Sequence, residues 1–278
     1  MGSNRKGSKP RYNTDQSITK QSEKAAENWP AKLGNDPCDF YGLTLDEDQI
    51  NLRDKIWDPN IDAVFVDSPA GTGKSLVSIA TAHLMREYGR YTDMVYVMHP
   101  VGDPQGALPG TITEKSSVYF ESLYQALTLA TNDWPAKYIK QSSMGDTDDK
   151  YYTKQGSAYI TAITDTYLRG SNIGSKTSPT ILIIDEAQNF PEFALRKVLT
   201  RACEGTKVVV IGHTLQCDLK GEKSGFARCQ EHFRRKNDPR FAFCELHNCH
   251  RSIVAQVADE PWNDEELDKE DKKNKKGE

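Results

Sequence analysis

No run of apolar residues in this chain is long enough to cross a bilayer, and no apolar segment of the signal-peptide kind opens it. Lys6 stands where a myristoylation signal requires Ser or Thr. A membrane partner is therefore not expected, and a cytoplasmic protein is. Positive charge is not in excess: 36 Lys and Arg against 40 Asp and Glu leave a net charge of −4. Without a global positive field, any binding to nucleic acid has to come from a local basic face. Cysteine is sparse and scattered, six in 278 residues, which argues against a disulfide framework and predicts free thiols. No internal repeat is visible.

What is present falls into three stretches. Residues 1–37 are rich in Ser, Lys, Asn, Gln and Glu with no sustained period, and are expected to form a disordered arm. Residues 259–278 form a charged tail with the same expectation. Between them, residues 38–258 carry the apolar material for one domain.

That domain is organised around SPAGTGKSL, Ser68 to Leu76. The apolar run AVFVD (Ala63 to Asp67) precedes it, and LVSIATAHLMREY (Leu76 to Tyr88), with apolar residues at helical spacing, follows it. Strand, Gly-rich loop and helix form the context in which a phosphate-cradling loop is expected. Gly71 and Gly73 permit tight backbone turns that aim several N–H groups at one point, and the helix N-terminus adds partial positive charge. Lys74 would reach the terminal phosphates and the Ser75 hydroxyl would hold Mg²⁺. Ser68 replaces the first glycine of the usual pattern.

A second anchor is TILIIDEAQNF, Thr180 to Phe190. An apolar strand that ends in Asp185-Glu186 places two carboxylates at the carboxyl edge of a parallel sheet, where ligands bind. Asp185 suits a Mg²⁺ site, and Glu186 suits the base that deprotonates an attacking water. Further strands are expected at Met94–Met98, Lys207–Gly212 and Phe241–Leu246, with a strand or hairpin within Ser157–Gly170. Helices are expected over Leu45–Ile56, Glu114–Ala130, Phe193–Gly205 and His250–Asp259. The alternation predicts an α/β fold with a mostly parallel sheet. Gln49, one helix upstream of the loop, is either an amide able to read an adenine edge or a solvated helix residue; spacing leaves both open.

Taken in order, SPAGTGKS, HPVG…ALPG…EK, TYLRG, ILIIDEAQNF with LTR at Leu199 to Arg201, and VVVIG-x-x-x-Q-x-DL resemble the PhoH-like family. The resemblance runs from about Tyr41 to Ala258, and the compact length is similar to the short versions met in bacteriophages. It implies a three-layer, RecA-like P-loop ATPase related to the first lobe of superfamily-one helicases, with ATP and Mg²⁺ as cofactors. Residue by residue, it implies Ser68, Pro69, Ala70, Gly71, Thr72, Gly73, Lys74, Ser75 and Leu76 as the nucleotide-binding loop, and Gln49 on the adenine side. Asp185 becomes the metal-side acid and Glu186 the catalytic base. Gln216 becomes the glutamine that senses the terminal phosphate, with Asp218 in the same motif. Besides Ser68, two letters depart from the family pattern: His213 and Asn248 stand where Asp is usual. A nucleotide-gated binding protein with weakened hydrolysis is therefore the alternative reading. A small-molecule kinase is a further one, opposed by a Glu suited to activating water.

Phosphoryl transfer gains much of its acceleration from a cation on the terminal phosphate. A full helicase takes it from a second lobe that this chain is too short to contain. The resemblance therefore implies an arginine from a neighbouring copy in a homo-oligomer, a ring or another head-to-tail arrangement, with Arg169, Arg201 and Arg251 as candidates. RNA or single-stranded DNA is the partner class that the helicase kinship suggests. The run Arg234 to Lys236, with Arg228 and Arg240, is either its contact or a solvated face; Tyr119, Tyr124, Trp134 and Tyr138 are available for stacking. The pairs Cys229-x-x-His232 and Cys244-x-x-His247, near Cys249 and His250, have zinc-like spacing. Their helical and strand settings favour buried thiols instead.

Overall fold

The computed structural model describes residues 29–101, 120–131, 133–140, 158–168, 170, 172–219 and 223–259. Six strands form one sheet: β1 (Ala63–Asp67), β2 (Asp93–Met98), β3 (Ile160–Thr164), β4 (Thr180–Ile184), β5 (Thr206–Gly212) and β6 (Phe241–Cys244). Every pairing is parallel and the order is β3-β2-β4-β5-β1-β6.

Both faces of the sheet are covered, which is why its central strands read as unbroken apolar runs. In β4, Ile181 and Ile183 face one core while Leu182 and Ile184 face the other. The same division holds for Val64 and Val66 against Phe65 in β1, and for Val209 and Ile211 against Val208 and Val210 in β5. Helices α1 (Glu47–Trp57), α2 (Lys74–Glu87) and α3 (Glu121–Thr131) cover the first face through Leu52, Ile56, Val77, Met85, Leu123 and Leu127. Helices α4 (Glu192–Leu199) and α5 (Phe226–Arg234) cover the second through Leu195, Val198 and Phe226. A last helix, α6, spans Ile253–Asp259. The three-layer α/β architecture expected from the sequence is the one found.

Several boundaries differ. Residues 158–168 give a single parallel edge strand, β3, and a 3₁₀ turn at Asp165–Tyr167, not a hairpin. Thr161, Ala162 and Ile163 are only half-buried there, so the apolar signal is weak. Helix α4 stops at Leu199, short of Gly205, because Ala202 leaves it to bridge Ile173. The helix expected over Glu114–Ala130 is described from Glu121, and residues 114–119 lie outside the described residues.

The packed body also reaches back into the stretch expected to be a disordered arm. Trp29 stacks on Trp57 at 4.2 Å between ring centroids, and the Trp57 indole donates to the Pro30 carbonyl at 2.8 Å. Arg53, buried in α1, donates to the Gly34 carbonyl and to Asn35 Oδ1, and Leu33 joins the first core. A few well-placed aromatic and apolar residues do this with no period, which is why the pattern does not reveal it.

At the amino end of β5, the Lys207 ammonium is buried and donates to the carbonyls of Asp58 and Ile61 at 2.6 Å each. Burial, helped by the charge of Arg90, pushes its pKa down from 10.5 to about 7. Above that pH the folded protein holds a neutral amine, whereas the unfolded chain stays protonated until near 10.5. The unfolded state binds more protons across that window, so this residue makes stability rise with pH. Urea denaturation at pH 7 and pH 9 should show the natural protein gaining on the order of 2 kcal/mol more than Lys207→Met does. Equal gains in the two proteins would show that Lys207 titrates normally.

Candidate nucleotide-binding site

β1 delivers the chain into the loop Ser68–Gly73, and α2 begins immediately after it with Gly73 as its N-cap. Gly71 and Gly73 have φ of 79° and 82°, left-handed values that suit glycine. A Cβ on Gly73 would lie 2.6 Å from Gln49 Nε2. The loop is tied down from two sides. From α1, Gln49 donates through Nε2 to the Thr72 carbonyl at 3.0 Å. From the segment after β6, His250 N donates to the Gly71 carbonyl at 2.9 Å and Cys249 Sγ to the Ala70 carbonyl at 3.4 Å. Ser68 is not a defect in the loop: its buried hydroxyl accepts from Leu246 N at 2.7 Å, giving a buried donor a partner that glycine lacks. Lys74 Nζ and Thr72 Oγ1 each donate to the Pro69 carbonyl at 3.1 Å.

Gln49 is not a solvated helix residue; it is 6% exposed. Its Oε1 accepts from Asp46 N at 3.2 Å while Asp46 Oδ1 accepts from Gln49 N at 2.9 Å, a capping box at the start of α1. The spacing Asp46-x-x-Gln49 carries that signal in the sequence.

β4 leads directly into Asp185, which is fully buried. Its Oδ1 accepts from Ser75 Oγ at 3.1 Å and from Glu186 N at 2.9 Å, and its Oδ2 accepts from the Tyr96 hydroxyl at 2.7 Å. Burial pushes the carboxyl up to about 6, the Glu186 charge adds to this, and the Tyr96 hydrogen bond opposes it. Ser75 and Asp185, predicted as the metal pair, are thus brought together from α2 and the end of β4. A hydroxyl beside a buried carboxylate that lacks a full counter-charge is a donor set that fits Mg²⁺. Sequence reasoning misses Tyr96, whose one signal is a hydroxyl inside the apolar run MVYVM.

Glu186 adopts φ 51° and ψ 44°, a left-handed conformation that costs a non-glycine residue energy and is kept at functional positions. Its Oε2 accepts from Gln188 Nε2 at 2.5 Å, and Gln188 Oε1 accepts from His213 N at 2.9 Å. β5 lies between β1 and β4, so Gly212-His213 emerges between the phosphate loop and the carboxylates. Gln216 N donates to the His213 carbonyl at 3.0 Å, which folds the predicted sensor loop back on itself. Asp218 N donates to Asn189 Oδ1 at 2.9 Å, joining that motif to DEAQN. Thr214 N donates to Asp67 Oδ1 at 2.9 Å, and the Thr214 hydroxyl donates to Asp67 Oδ2.

The candidate arginines part company. Arg169 lies outside the described residues. The side chain of Arg251 lies over its own loop, with Cγ 2.6 Å from a Cβ built on Gly71. Arg201 follows α4, and its carbonyl accepts from Ile173 N beside the start of β5. That is the amino edge of the sheet, opposite the phosphate loop, so the chain does not bring Arg201 to its own site. Asn248 Nδ2 donates to Asp46 Oδ2 at 3.4 Å.

The basic residues in and after α5 form exposed ion pairs: Arg228 with Glu192 at 2.6 Å, Arg234 with Glu245 at 3.7 Å, Arg235 with Glu231 at 2.6 Å, and Arg240 with Asp238 at 2.7 Å. Of the aromatics offered for stacking, Tyr124 and Tyr138 pack against the core, Trp134 is exposed, and Tyr119 lies outside the described residues. Cys244 is buried in β6, and Cys229 packs against the second core. Among the described residues no group of three or more His, Cys, Asp or Glu is placed to hold a metal, and no helix is long and apolar enough to cross a membrane.

A family model described as PhoH-like protein matches residues 44–260. Protein PhoH2 of Bacillus subtilis (strain 168) is 33% identical over 205 residues, covering 72% of this chain and 42% of the relative. Protein PhoH of Escherichia coli (strain K12) is 27% identical over 197 residues, covering 69% of this chain and 51% of the relative. The chain spans about half the length of the curated relatives it matches. Among solved structures, the large terminase of a thermophilic bacteriophage aligns with a TM-score of 0.44 at 12% identity, over 78% of this chain and 50% of that one. With the phosphate loop, the Ser75–Asp185 pair and Glu186 gathered at the carboxyl edge of the sheet, and the family match running through all of them, the chain belongs to the PhoH-like family of P-loop nucleotide-binding proteins.

Proposed function

We propose that this domain binds ATP with Mg²⁺ and hydrolyses it, working as an assembly of copies with RNA or single-stranded DNA as its partner. One observation carries the reading: Ser75, Asp185 and Glu186 converge at the mouth of a glycine loop that is pinned from both sides. The loop N–H groups and Lys74 hold the phosphate chain, and Ser75 with Asp185 holds the metal. When bound by these residues, Mg²⁺ would supply charge neutralisation at the terminal phosphates. Glu186 takes the proton from a water as that water's oxygen attacks the terminal phosphorus; the bridging oxygen leaves on ADP.

Arg201, on the opposite edge of the sheet, suits a contribution to a neighbouring copy's site, which supports a head-to-tail arrangement. The alternative, a nucleotide-gated module without turnover, is favoured by His213 and Asn248. Phosphate release from ATP and Mg²⁺, measured with and without single-stranded RNA and DNA, tests the proposal. Release that a strand stimulates supports ATP hydrolysis and the nucleic-acid partner together. Nucleotide binding with no release supports the gated module. Light scattering with nucleotide bound tests the assembly, and a monomer would remove it.

A further inference from the structure

His213 is held by its backbone on every side. Its N–H donates to Gln188 Oε1 at 2.9 Å and its carbonyl accepts from Gln216 N at 3.0 Å. Thr214, the next residue, is fastened to Asp67, and the Gly212 carbonyl before it accepts from Ser68 N at 3.1 Å. Gly212 has no room for a side chain, since a Cβ there would lie 2.6 Å from the Phe226 ring. His213 is therefore fixed between the root of the phosphate loop and the Glu186–Gln188 pair.

The residue is 8% exposed, and among the described residues its buried Nδ1 has no hydrogen-bond partner. A buried polar atom left unpaired costs free energy comparable to a lost hydrogen bond and calls for an explanation. Here the surrounding architecture supplies one. Lys74 and Ser75 stand on one side of this strand end, and Asp185 and Glu186 on the other. A triphosphate held by the loop as proposed above would end between them.

Resting on the nucleotide-binding reading above, we infer that His213 reads the terminal phosphate: the imidazole pairs with a triphosphate and stays unpaired with a diphosphate. It is a specificity-determining residue for tri- against diphosphate. The link from His213 N through Gln188 to Glu186 joins that recognition to the base.

The test is the ratio of affinities for ADP and a non-hydrolysable ATP analogue, measured with Mg²⁺ by calorimetry on the full chain. His213→Ala should weaken the analogue about tenfold and leave ADP unchanged, as expected for one hydrogen bond to a charged group. His213→Asn carries a polar atom at the Nδ1 position and should recover most of the loss. A merely structural histidine predicts equal losses for both nucleotides, or no loss, or no rescue by Asn, and each of these would overturn the inference. Lys74→Ala serves as the control that weakens both nucleotides. If the natural protein binds neither, the nucleotide reading fails and this inference with it. If ADP binds and the ratio does not move, only the role of His213 fails.

Discussion

Glu186→Gln should lower the rate of phosphate release by about 10²- to 10⁴-fold while leaving nucleotide binding in place, the usual contribution of a positioned general base. The substitution suits the site because it changes chemistry more than shape. A glutamine oxygen can still accept from Gln188 Nε2, which now meets Glu186 at 2.5 Å, so the left-handed turn at this residue keeps its anchor. What disappears is the basic oxygen. A second consequence follows from charge. The Glu186 carboxylate is one of the two causes that hold Asp185 up at about 6, burial being the larger. Removing it favours the ionised form of Asp185, so binding of the Mg²⁺ nucleotide should hold or tighten as turnover collapses. Single-turnover kinetics beside equilibrium binding separate the two effects. Loss of binding in parallel with rate would mean that Glu186 shapes the pocket instead of supplying the base, and an unchanged rate would move the base elsewhere.

The sequence is most legible where one element meets one physical demand. β1, β4 and β5 are buried on both faces, so their apolar runs are unbroken and can be read without their neighbours. The phosphate loop and Asp185-Glu186 are legible because local geometry dictates their residue types: glycines at positive φ, and carboxylates at a strand end. β3 is ambiguous because an edge strand with half-buried middle residues makes a weak demand on composition. What stays hidden depends on residues far apart in the chain. Ser68 looks like a lapse until Leu246 N is found 178 residues away. Tyr96 looks like core until its hydroxyl meets Asp185, and Gln188 looks like part of a motif until it joins Glu186 to β5. Gln49 reads either as a site residue or as a solvated helix residue, and spacing alone does not show that its partners are a helix cap and a loop carbonyl. Spacing does not encode such contacts.

The bond from Gln49 to the loop makes Gly73→Ala the most damaging small substitution expected there. At φ 82° an L-residue costs about 1–2 kcal/mol from the backbone alone. The new Cβ would also lie 2.6 Å from Gln49 Nε2, which must shift. It has nowhere to go without loss: Nε2 gives up the Thr72 carbonyl, and moving the amide pulls Oε1 from Asp46 N and opens the cap of α1. Leaving those buried groups unpaired brings the expected total to on the order of 3 kcal/mol. Backbone N–H groups that no longer converge should weaken ATP by about a hundredfold or more, the equivalent of about 3 kcal/mol. A double-mutant cycle separates the causes. In a Gln49→Ala background the clash is gone, so Gly73→Ala should cost only the backbone share in urea denaturation, while ATP binding stays poor because the loop conformation is still wrong. Equal stability losses in both backgrounds would show that Gln49 does not brace the loop. ATP binding restored by Gln49→Ala would show that the clash, and not the left-handed glycine, had disabled the site.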